Sequence, residues 1–375
     1  MMYEMKGIRY AEGLLKFLLA TAMAWLGCIA LVSCDQGDTR AENTEAHITL
    51  TLCLKGTDTD NNTRIGQSGG KQIASRSEDD ETDEPGTEME NSIDFSRFHV
   101  VFYDANHRMA GILQNMVLIH VGGSIYRLTG SLPVSNKVLV GNHFVGKMVV
   151  YANFDMSSED LQKGYNDEII AQKSFNYEAN PKYLPMWGVQ KVDFTLAAGK
   201  RQDFSDIDLL RAVAKVKVNL SNEMKNNGWS IHSMQLFNYN NKGYCMPGKY
   251  TDCEQTASLT HEEFEHFFNS RQISGITMTE DVPIYLPEYQ NNGQKDADKC
   301  IIKLKLARNG TVESDKEYTL RFIDYTDQGT EGTTINDIVR DHYYTFEVYK
   351  GSNGQNLVKL TVRKWNVRDH EEIVM

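Results

Sequence analysis

The stretch IDLLRAVAKVKVNL, at residues 207–220, decides the fold because its second half alternates strictly. Apolar side chains occupy every second position from Ala214 to Leu220, and polar side chains occupy the positions between them. Successive side chains of a strand point to opposite faces, so a period of two predicts a strand with one buried face. Short runs of the same kind, bounded by Gly, Asn, Asp and Pro, recur on both sides of this stretch. We therefore predict an all-β chain with minor helices.

The predicted strands form two series of similar texture that meet near residue 207. Many short strands separated by regular turns are typical of β-sandwiches. The chain has 375 residues, of which 41% are hydrophobic, and this length allows two domains of ordinary size after an N-terminal leader. We predict an N-terminal sandwich over residues 92–206 and a C-terminal sandwich over residues 207–375.

The first 33 residues have the order of an export signal. Three basic residues precede a mostly apolar run at residues 17–33, and the chain then turns polar. The tetrapeptide Leu31–Cys34 resembles a bacterial lipobox, in which the cysteine thiol takes a diacylglycerol and the chain is cut before it. We predict a signal peptide over residues 1–33 and lipidation at Cys34. A transmembrane anchor is the alternative, because the apolar run is about as long as the shortest membrane-spanning helix.

Residues 34–91 contain a tether, a first strand and an acidic linker. In HITLTLCLKG, at residues 47–56, four aliphatic side chains fall on one face, which predicts a half-buried strand. Residues 57–91 are polar and then strongly acidic, and such a composition cannot bury a core. One good strand is thus separated from the main body of the chain by a long polar linker.

The acidic linker is a candidate for proteolytic processing. Exposed mobile segments are where proteases cut, and Arg76 stands where the acidic run begins, with Arg64 as the alternative. A cut there would free the first strand. The departure of that strand would expose unpaired backbone groups, which a strand from another subunit can pair with. A solvated linker with no such role is the competing interpretation.

Composition and motifs argue against several functional classes. The formal net charge of −12 repels phosphate backbones, so we predict no nucleic-acid partner. The G-x-S-x-G pattern at residues 66–70 lacks the strand and helix that a nucleophile elbow needs. His261 and His266 are five residues apart, whereas a zincin needs four, and we predict there an amphipathic helix with its phenylalanines inward. We predict no enzyme, no cofactor and no metal site. Tyr343 and Tyr349 are expected to face outward, where a glycan could stack on them.

The cysteines leave the disulfide state open. Export permits disulfides, and Cys245 and Cys253 could close a short loop, but free buried thiols are equally consistent with the sequence. Four cysteines without a C-x-x-C spacing lie beyond the lipobox, namely Cys53, Cys245, Cys253 and Cys300.

Several stretches resemble, in order along the chain, the Bacteroidales fimbrillin family of lipoprotein pilins. Each stretch is short, but their order is specific and spans nearly the whole chain. They are the lipobox at Cys34, ASR at 74–76, IDFSRFHVVFYDANHRM at 93–109, LPMWG at 184–188, IDLLRAVAKVKVNL at 207–220, VPIYLPEY at 282–289, IVRDHYYTFEV at 338–348 and VRKWNV at 362–367.

The resemblance implies two tandem transthyretin-like β-sandwich domains and export as a lipoprotein to the outer membrane. It also implies that a trypsin-like protease removes the first strand after an arginine, for which Arg76 matches better than Arg64. A strand from a neighbouring subunit then fills the groove, and the C-terminal strand around Leu360–Val374 is the natural donor. The chain is thus expected to be a fimbrial subunit or accessory pilin that assembles with other fimbrial subunits at the cell surface and supports adhesion. The alternative is a non-polymerising surface lipoprotein, either an anchor subunit or a module that binds a glycan or a host protein.

Overall fold

The structure is a computed structural model that describes residues 45–54, 87–122, 124–162, 164–313, 315–326 and 328–365. Strands dominate these residues and the few helices are short, so the all-β prediction is confirmed. Within these ranges, no helix combines the length and the apolar character needed to cross a membrane.

The first half of the described chain forms two sheets and one short extra strand. In chain order its strands are β1 (Glu45–Cys53), β2 (Phe98–Asp104), β3 (Met109–Ile112), β4 (Gln114–Gly122), β5 (Ile125–Pro133), β6 (His143–Ala152), β7 (Ser174–Asn176), β8 (Met186–Thr195), β9 (Arg201–Asp203), β10 (Ile207–Asp208) and β11 (Leu210–Arg211). One sheet has the order β10-β1-β5-β4, and β9 also pairs with β1. The other sheet has the order β11-β8-β6-β2-β3.

The inner faces of these two sheets share one hydrophobic core, so together they form a sandwich. Leu50 of β1 and Leu128 of β5 come from one sheet, and Val100 of β2 and Val150 of β6 come from the other. All four side chains are buried. Alternate residues of each strand point into this core because the side-chain period of a strand is two.

The second half forms a second sandwich with a core of its own. Its main sheets have the orders β18-β12-β24-β25 and β17-β13-β19-β20, and β21 also pairs with β19. The strands are β12 (Ala214–Leu220), β13 (Trp229–Phe237), β14 (Tyr239–Asn240), β15 (Lys242–Tyr244), β16 (Arg271–Gln272), β17 (Ile276–Thr277), β18 (Ile284–Leu286), β19 (Ile301–Arg308), β20 (Thr311–Val312), β21 (Tyr318–Arg321), β22 (Ile323–Tyr325), β23 (Glu331–Ile335), β24 (His342–Lys350) and β25 (Asn356–Lys364).

The stretch at residues 207–220 connects the two sandwiches. Its first part still belongs to the first sandwich, because β10 pairs with β1 and β11 pairs with β8. Its second part is β12, which begins at Ala214 and lies between β18 and β24 in the second sandwich. The apolar positions of β12 are at most 1% exposed, so the predicted alternation is confirmed.

The two sandwiches also meet through a two-stranded sheet and a shared core. β7 pairs with β15, which comes from the second half of the chain. Cys245, Leu259 and Phe264 of the second half pack with Tyr151 of β6 and Trp187 of β8 in a third hydrophobic cluster. The sheet that contains β6 and β8 is therefore buried on both of its faces.

The helices of the described chain are short. The helix predicted around His261 ends at Phe264, and only Phe264 of its phenylalanines lies inside it, so the longer amphipathic helix is not formed. The α-helices are α1 (Glu88–Asn91), α2 (Asp167–Ala171), α3 (Asn222–Asn226) and α4 (His261–Phe264), and three-residue 3-10 turns lie at Phe95–Arg97, Thr256–Ser258 and Asp296–Asp298.

Candidate functional site

Strand β1 lies inside the first sheet with partners along both of its edges. It pairs antiparallel with β5 over all nine of its residues, from Glu45 opposite Pro133 to Cys53 opposite Ile125. Its other edge pairs parallel with β9 over three residues and with β10 over two. We call the place that β1 occupies between these neighbours the β1 groove. If β1 left, backbone groups on both sides of the groove would lose their hydrogen-bond partners.

The side chains of β1 alternate between the core and the outer face, as the sequence predicts. Ile48, Leu50, Leu52 and Leu54 are at most 2% exposed, whereas His47, just before them, is exposed and Thr49 and Thr51, between them, are half-buried. Burying four such side chains contributes roughly 6–12 kcal/mol of transfer free energy. The whole free energy of unfolding of a typical domain is about 5–15 kcal/mol. An empty β1 groove is therefore unstable unless another strand enters it.

One buried side chain, Arg211, joins the end of β1 to α1. Its Nη2 donates to the backbone oxygen of Leu54 at 3.4 Å and to Oδ1 of Asn91 at 2.8 Å. Its Nε donates to the backbone oxygen of Glu90 at 3.2 Å. Residues on both sides of segment 55–86 therefore contact the same guanidinium. This contact joins them without involving the segment itself.

Helix α1 is held by its own cap and by two tyrosines. Thr87 and Glu90 form a reciprocal capping box. The hydroxyl of Tyr126 donates to the backbone oxygen of Asn91, and the hydroxyl of Tyr285 donates to Oε1 of Glu90, each at 2.6 Å. Burial and the neighbouring Glu90 carboxylate raise the pKa of Tyr285 well above its usual value, which keeps its hydroxyl a donor. The linker predicted through Asn91 therefore ends in a helix whose last two residues, Glu90 and Asn91, are buried.

Two ion pairs and an indole ring complete the surroundings of Arg211. Nη1 of Arg211 lies 3.4 Å from Oδ1 of Asp341, and Nζ of Lys215 lies 2.9 Å from Oε1 of Glu90. The ring centroid of Trp365 lies 4.6 Å from Cζ of Arg211 and 5.4 Å from Nζ of Lys215, within range of cation–π attraction. We call these five residues, all of them buried, the Arg211 cluster. Its two cations balance its two carboxylates.

Arg211 and Lys215 were not among the site residues predicted from the sequence. The available signal was their position in the stretch at 207–220, where two cations stand directly beside a fully apolar strand face. Charged residues are rarely fully buried unless they are paired. A pair of cations so close to the core therefore indicates buried acidic or carbonyl partners, although the sequence does not say which ones.

The C-terminal strand β25 occupies an edge of the second sandwich. It pairs antiparallel with β24 over nine residues, from Asn356 opposite Lys350 to Lys364 opposite His342. The predicted donor segment around Leu360–Val374 thus begins inside β25, and its residues from 366 onward lie outside the described part of the chain.

The predicted processing and lipidation sites lie outside the described residues. Cys34, Arg64 and Arg76 belong to residues 1–44 and 55–86, so these predictions stay predictions.

The four cysteines downstream of the lipobox are buried, and none of them forms a disulfide in the structure, namely Cys53, Cys245, Cys253 and Cys300. Burial raises the pKa of the Cys245 thiol to about 12 and that of Cys253 to about 11. Their thiolates are therefore scarce at neutral pH, and such thiols are poor nucleophiles. The structure agrees with the free-thiol alternative and not with a bridge between Cys245 and Cys253.

The prediction that Tyr343 faces outward is wrong. Tyr343 is only 3% exposed. Nζ of Lys215 and Cζ of Arg363 lie 4.6 and 4.9 Å from its ring centroid, so cations occupy the place where a glycan would stack. Tyr349 is half-buried. Alternation along the strand placed Tyr343 opposite the core correctly, but a second layer of residues covers that face.

Of the two histidines in the candidate metal motif, His266 has a side chain that contacts other groups. The ring of His266 stacks on Tyr244 with centroids 3.8 Å apart, and its Nδ1 is hydrogen-bonded to the backbone oxygen of Met246 at 3.0 Å. In the part of the chain that the structure describes, no group of three or more His, Cys, Asp or Glu side chains is placed to hold a metal ion.

A family model matches residues 78–371, which is well over half of the chain. It describes the fimbrillin-A associated anchor proteins Mfa1 and Mfa2. The chain belongs to this family. The resemblance to fimbrillins found in the sequence is thereby confirmed, and the protein is a member of a fimbrial and cell-adhesion family.

Solved structures show the same fold as this anchor-family chain. One is a putative cell adhesion protein from Parabacteroides distasonis, with a TM-score of 0.51 and 14% identity, covering 87% of this chain and 99% of its own. Another is the tip fimbrial protein Mfa3 from Porphyromonas gingivalis, with a TM-score of 0.50 and 12% identity, covering 86% of this chain and 100% of its own. No curated protein matches the sequence.

Proposed function

We propose that this anchor-family chain is a non-enzymatic fimbrial subunit or accessory pilin, exported as an outer-membrane lipoprotein through Cys34. It associates with other fimbrial subunits at the cell surface and supports adhesion. Proteolysis after Arg76, or after Arg64, frees β1. A strand from a neighbouring subunit then occupies the β1 groove.

The position of β1 is the observation that carries this proposal. β1 has backbone partners on both edges and four fully buried aliphatic side chains, yet it precedes the rest of the described chain by 32 residues of polar linker. Cutting that linker leaves β1 held by non-covalent contacts alone. Because an empty groove is unstable, release of β1 is coupled to entry of a strand that supplies the same hydrogen bonds and the same apolar alternation.

The decisive experiment is to determine the N-terminus and intact mass of the protein isolated from the cell surface. A chain that starts at Ser77 and carries no lipid supports removal of β1. A chain that starts at lipidated Cys34 supports an anchored subunit that keeps β1. A chain that retains residues 17–33 contradicts export as a lipoprotein.

Substitution of the candidate cleavage residue sharpens this test. We expect Arg76→Ala to preserve β1 in the surface protein and to abolish heat-resistant oligomers on a gel, because inserted strands dissociate slowly. Lys71→Ala is the matched control, since it removes a neighbouring basic residue of the same linker. If Arg64→Ala alone blocks processing, the cut lies after Arg64 instead.

A further inference from the structure

The apolar side chains of β1 do not by themselves fix how a strand sits in the β1 groove. Large aliphatic residues occupy every second position from Ile48 to Leu54. A strand that slips by two residues returns the same face to the core, so a regular ladder of this kind leaves several registers open. The ladder also does not fix how far along the groove a strand has to extend.

Arg211 supplies a contact outside the ladder at one end of the groove. It points its Nη2 at the backbone oxygen of Leu54, immediately after the last residue of β1. Its other contacts, to Glu90, Asn91 and Asp341, come from outside the groove and stay in place when β1 leaves. Departure of β1 therefore removes one acceptor from a guanidinium that is 0% exposed.

We infer that Arg211 sets how far a strand must extend along the β1 groove, because it requires a backbone carbonyl at the position of Leu54. This inference rests on the proposed exchange of strands. A strand that ends one residue short of this position leaves a buried donor without its acceptor. Such a loss is costly, because a buried polar group forfeits its hydration without gaining a partner.

The charges around Arg211 specify the kind of acceptor. The ion pairs of Arg211 with Asp341 and of Lys215 with Glu90 already balance two cations with two carboxylates. A strand whose chain continues past this point brings a neutral amide carbonyl. A strand that ends there with a free carboxylate adds a third negative charge beside the carboxylates of Asp341 and Glu90 in a buried place. The groove is therefore built for a strand that continues beyond Arg211.

The test uses the full chain with a specific protease site inserted after Arg76, cut and then exchanged against fluorescent peptides. One peptide contains residues 45–54 and ends in an amide, which retains the carbonyl of Leu54. A second ends at Cys53 with a 3-methylbutylamide, which retains the amide N–H and side chain of Leu54 but lacks its carbonyl. A third contains residues 45–54 and ends in a free carboxylate.

We expect the amide peptide to bind about tenfold more tightly than the methylbutylamide peptide, the lower end of the effect of one hydrogen bond to a charged group. The carboxylate peptide is expected to bind less tightly than the amide. Equal affinities of the amide and methylbutylamide peptides would overturn the role of Arg211 and leave strand exchange intact. Failure of all three peptides to enter the groove would overturn strand exchange itself and the inference with it.

Two variants separate the role of Arg211 from a general effect of charge. Arg211→Lys retains the positive charge but loses the several N–H donors of the guanidinium. We expect this variant to bind both neutral peptides with similar affinity. Arg201→Ala is the matched control, because Arg201 lies on β9 beside β1 but keeps its guanidinium near the surface, paired with Asp203. The Arg201→Ala variant is expected to bind the amide peptide about tenfold more tightly than the methylbutylamide peptide, as the unsubstituted chain does. The peptide series on the unsubstituted chain decides the matter even if Arg211→Lys does not fold.

Discussion

Strands β1 and β25 have the same length and the same alternating pattern, but they occupy different positions in their sheets. Each has nine residues. β1 is paired on both edges and its inward side chains are fully buried. β25 lies at the edge of its sheet beside β24, and its inward side chains, among them Leu360, are only half-buried. The alternating pattern thus predicts that a strand forms, whereas the position of the strand in its sheet determines how much stability is lost when it is removed.

This difference suits opposite roles in a strand exchange. The receiving site has to bind a strand firmly, which requires two paired edges and a deep apolar groove. A donated strand has to leave its own sheet at low cost, which favours an edge position. The β1 groove of the first sandwich suits the receiving role. Strand β25, at the edge of a sheet of the second sandwich, suits the donating role.

Deletion of β1 and deletion of β25 are expected to differ strongly in their effect on the folding of the first sandwich, and this is the largest effect that we predict. A chain that begins at residue 55 should lose cooperative folding of the first sandwich, because an empty β1 groove forfeits roughly 6–12 kcal/mol of apolar burial. A chain that ends at residue 355 also lacks Trp365 of the Arg211 cluster, so its first sandwich should be less stable than in the full chain, but it should still unfold in a cooperative thermal transition by circular dichroism. A stable, monomeric chain lacking β1 would contradict the comparison.

Single truncations in the two strands should reproduce the contrast on a smaller scale. We expect Leu50→Ala to lower the free energy of unfolding by about 2–5 kcal/mol, because it leaves a cavity in a closed core. We expect Leu360→Ala to lower it by about 1 kcal/mol, because a half-buried side chain at a sheet edge loses less contact. Urea titration of both variants checks this, and equal losses would show that edge and centre do not differ.

The sequence predicted the strands better than it predicted their surroundings. The alternation of β1 and of β12 is intrinsic to the chain, since it follows from the period of a strand. Sequence also placed Lys215 and Tyr343 on the faces opposite the cores. It did not reveal that these faces are covered. Lys215 contacts Glu90 and Trp365, and Tyr343 contacts Lys215, and each of these partners is distant along the chain.

The predicted helix at residues 261–268 failed for a related reason. Its pattern of phenylalanines suits a helix with one buried face. In the structure the helix ends at Phe264 and His266 instead stacks on Tyr244. The segment around it covers the outer face of the sheet that holds β8, and this tertiary packing overrides a weak local preference. The roles of Cys34, Arg64 and Arg76 were suggested by sequence alone. The N-terminus of the mature protein tests them.

Hydrogen exchange should distinguish the two strands in the unsubstituted protein. Amides of β1 are expected to exchange only through opening of the whole first sandwich, because both of its edges are paired. Amides of β25 should exchange sooner, through local opening at the sheet edge. Mass spectrometry of peptides covering Glu45–Cys53 and Asn356–Lys364 measures both rates in one sample. Slower exchange in β25 than in β1 would reverse the assignment of donor and receiver.

The smallest expected effect is in thiol labelling, and Cys53 provides the natural probe. Cys53 lies on β1, is 7% exposed and points away from the core ladder. We expect it to react slowly with a maleimide at pH 8 while β1 is in place. Thr361→Cys places a matched thiol on the outer face of β25, and we expect it to react faster in the same protein.

Cutting the linker should change only one of these two rates. After cleavage following Arg76 and exchange with a competing strand, Cys53 is expected to react as fast as in a free peptide, while the rate at residue 361 stays constant. Cys245 serves as the internal reference, because burial raises its pKa to about 12 and so keeps its thiol protonated at pH 8. If cleavage accelerates the thiol at residue 361 and leaves Cys53 protected, β25 is the strand that leaves, and the linker has no part in opening the β1 groove.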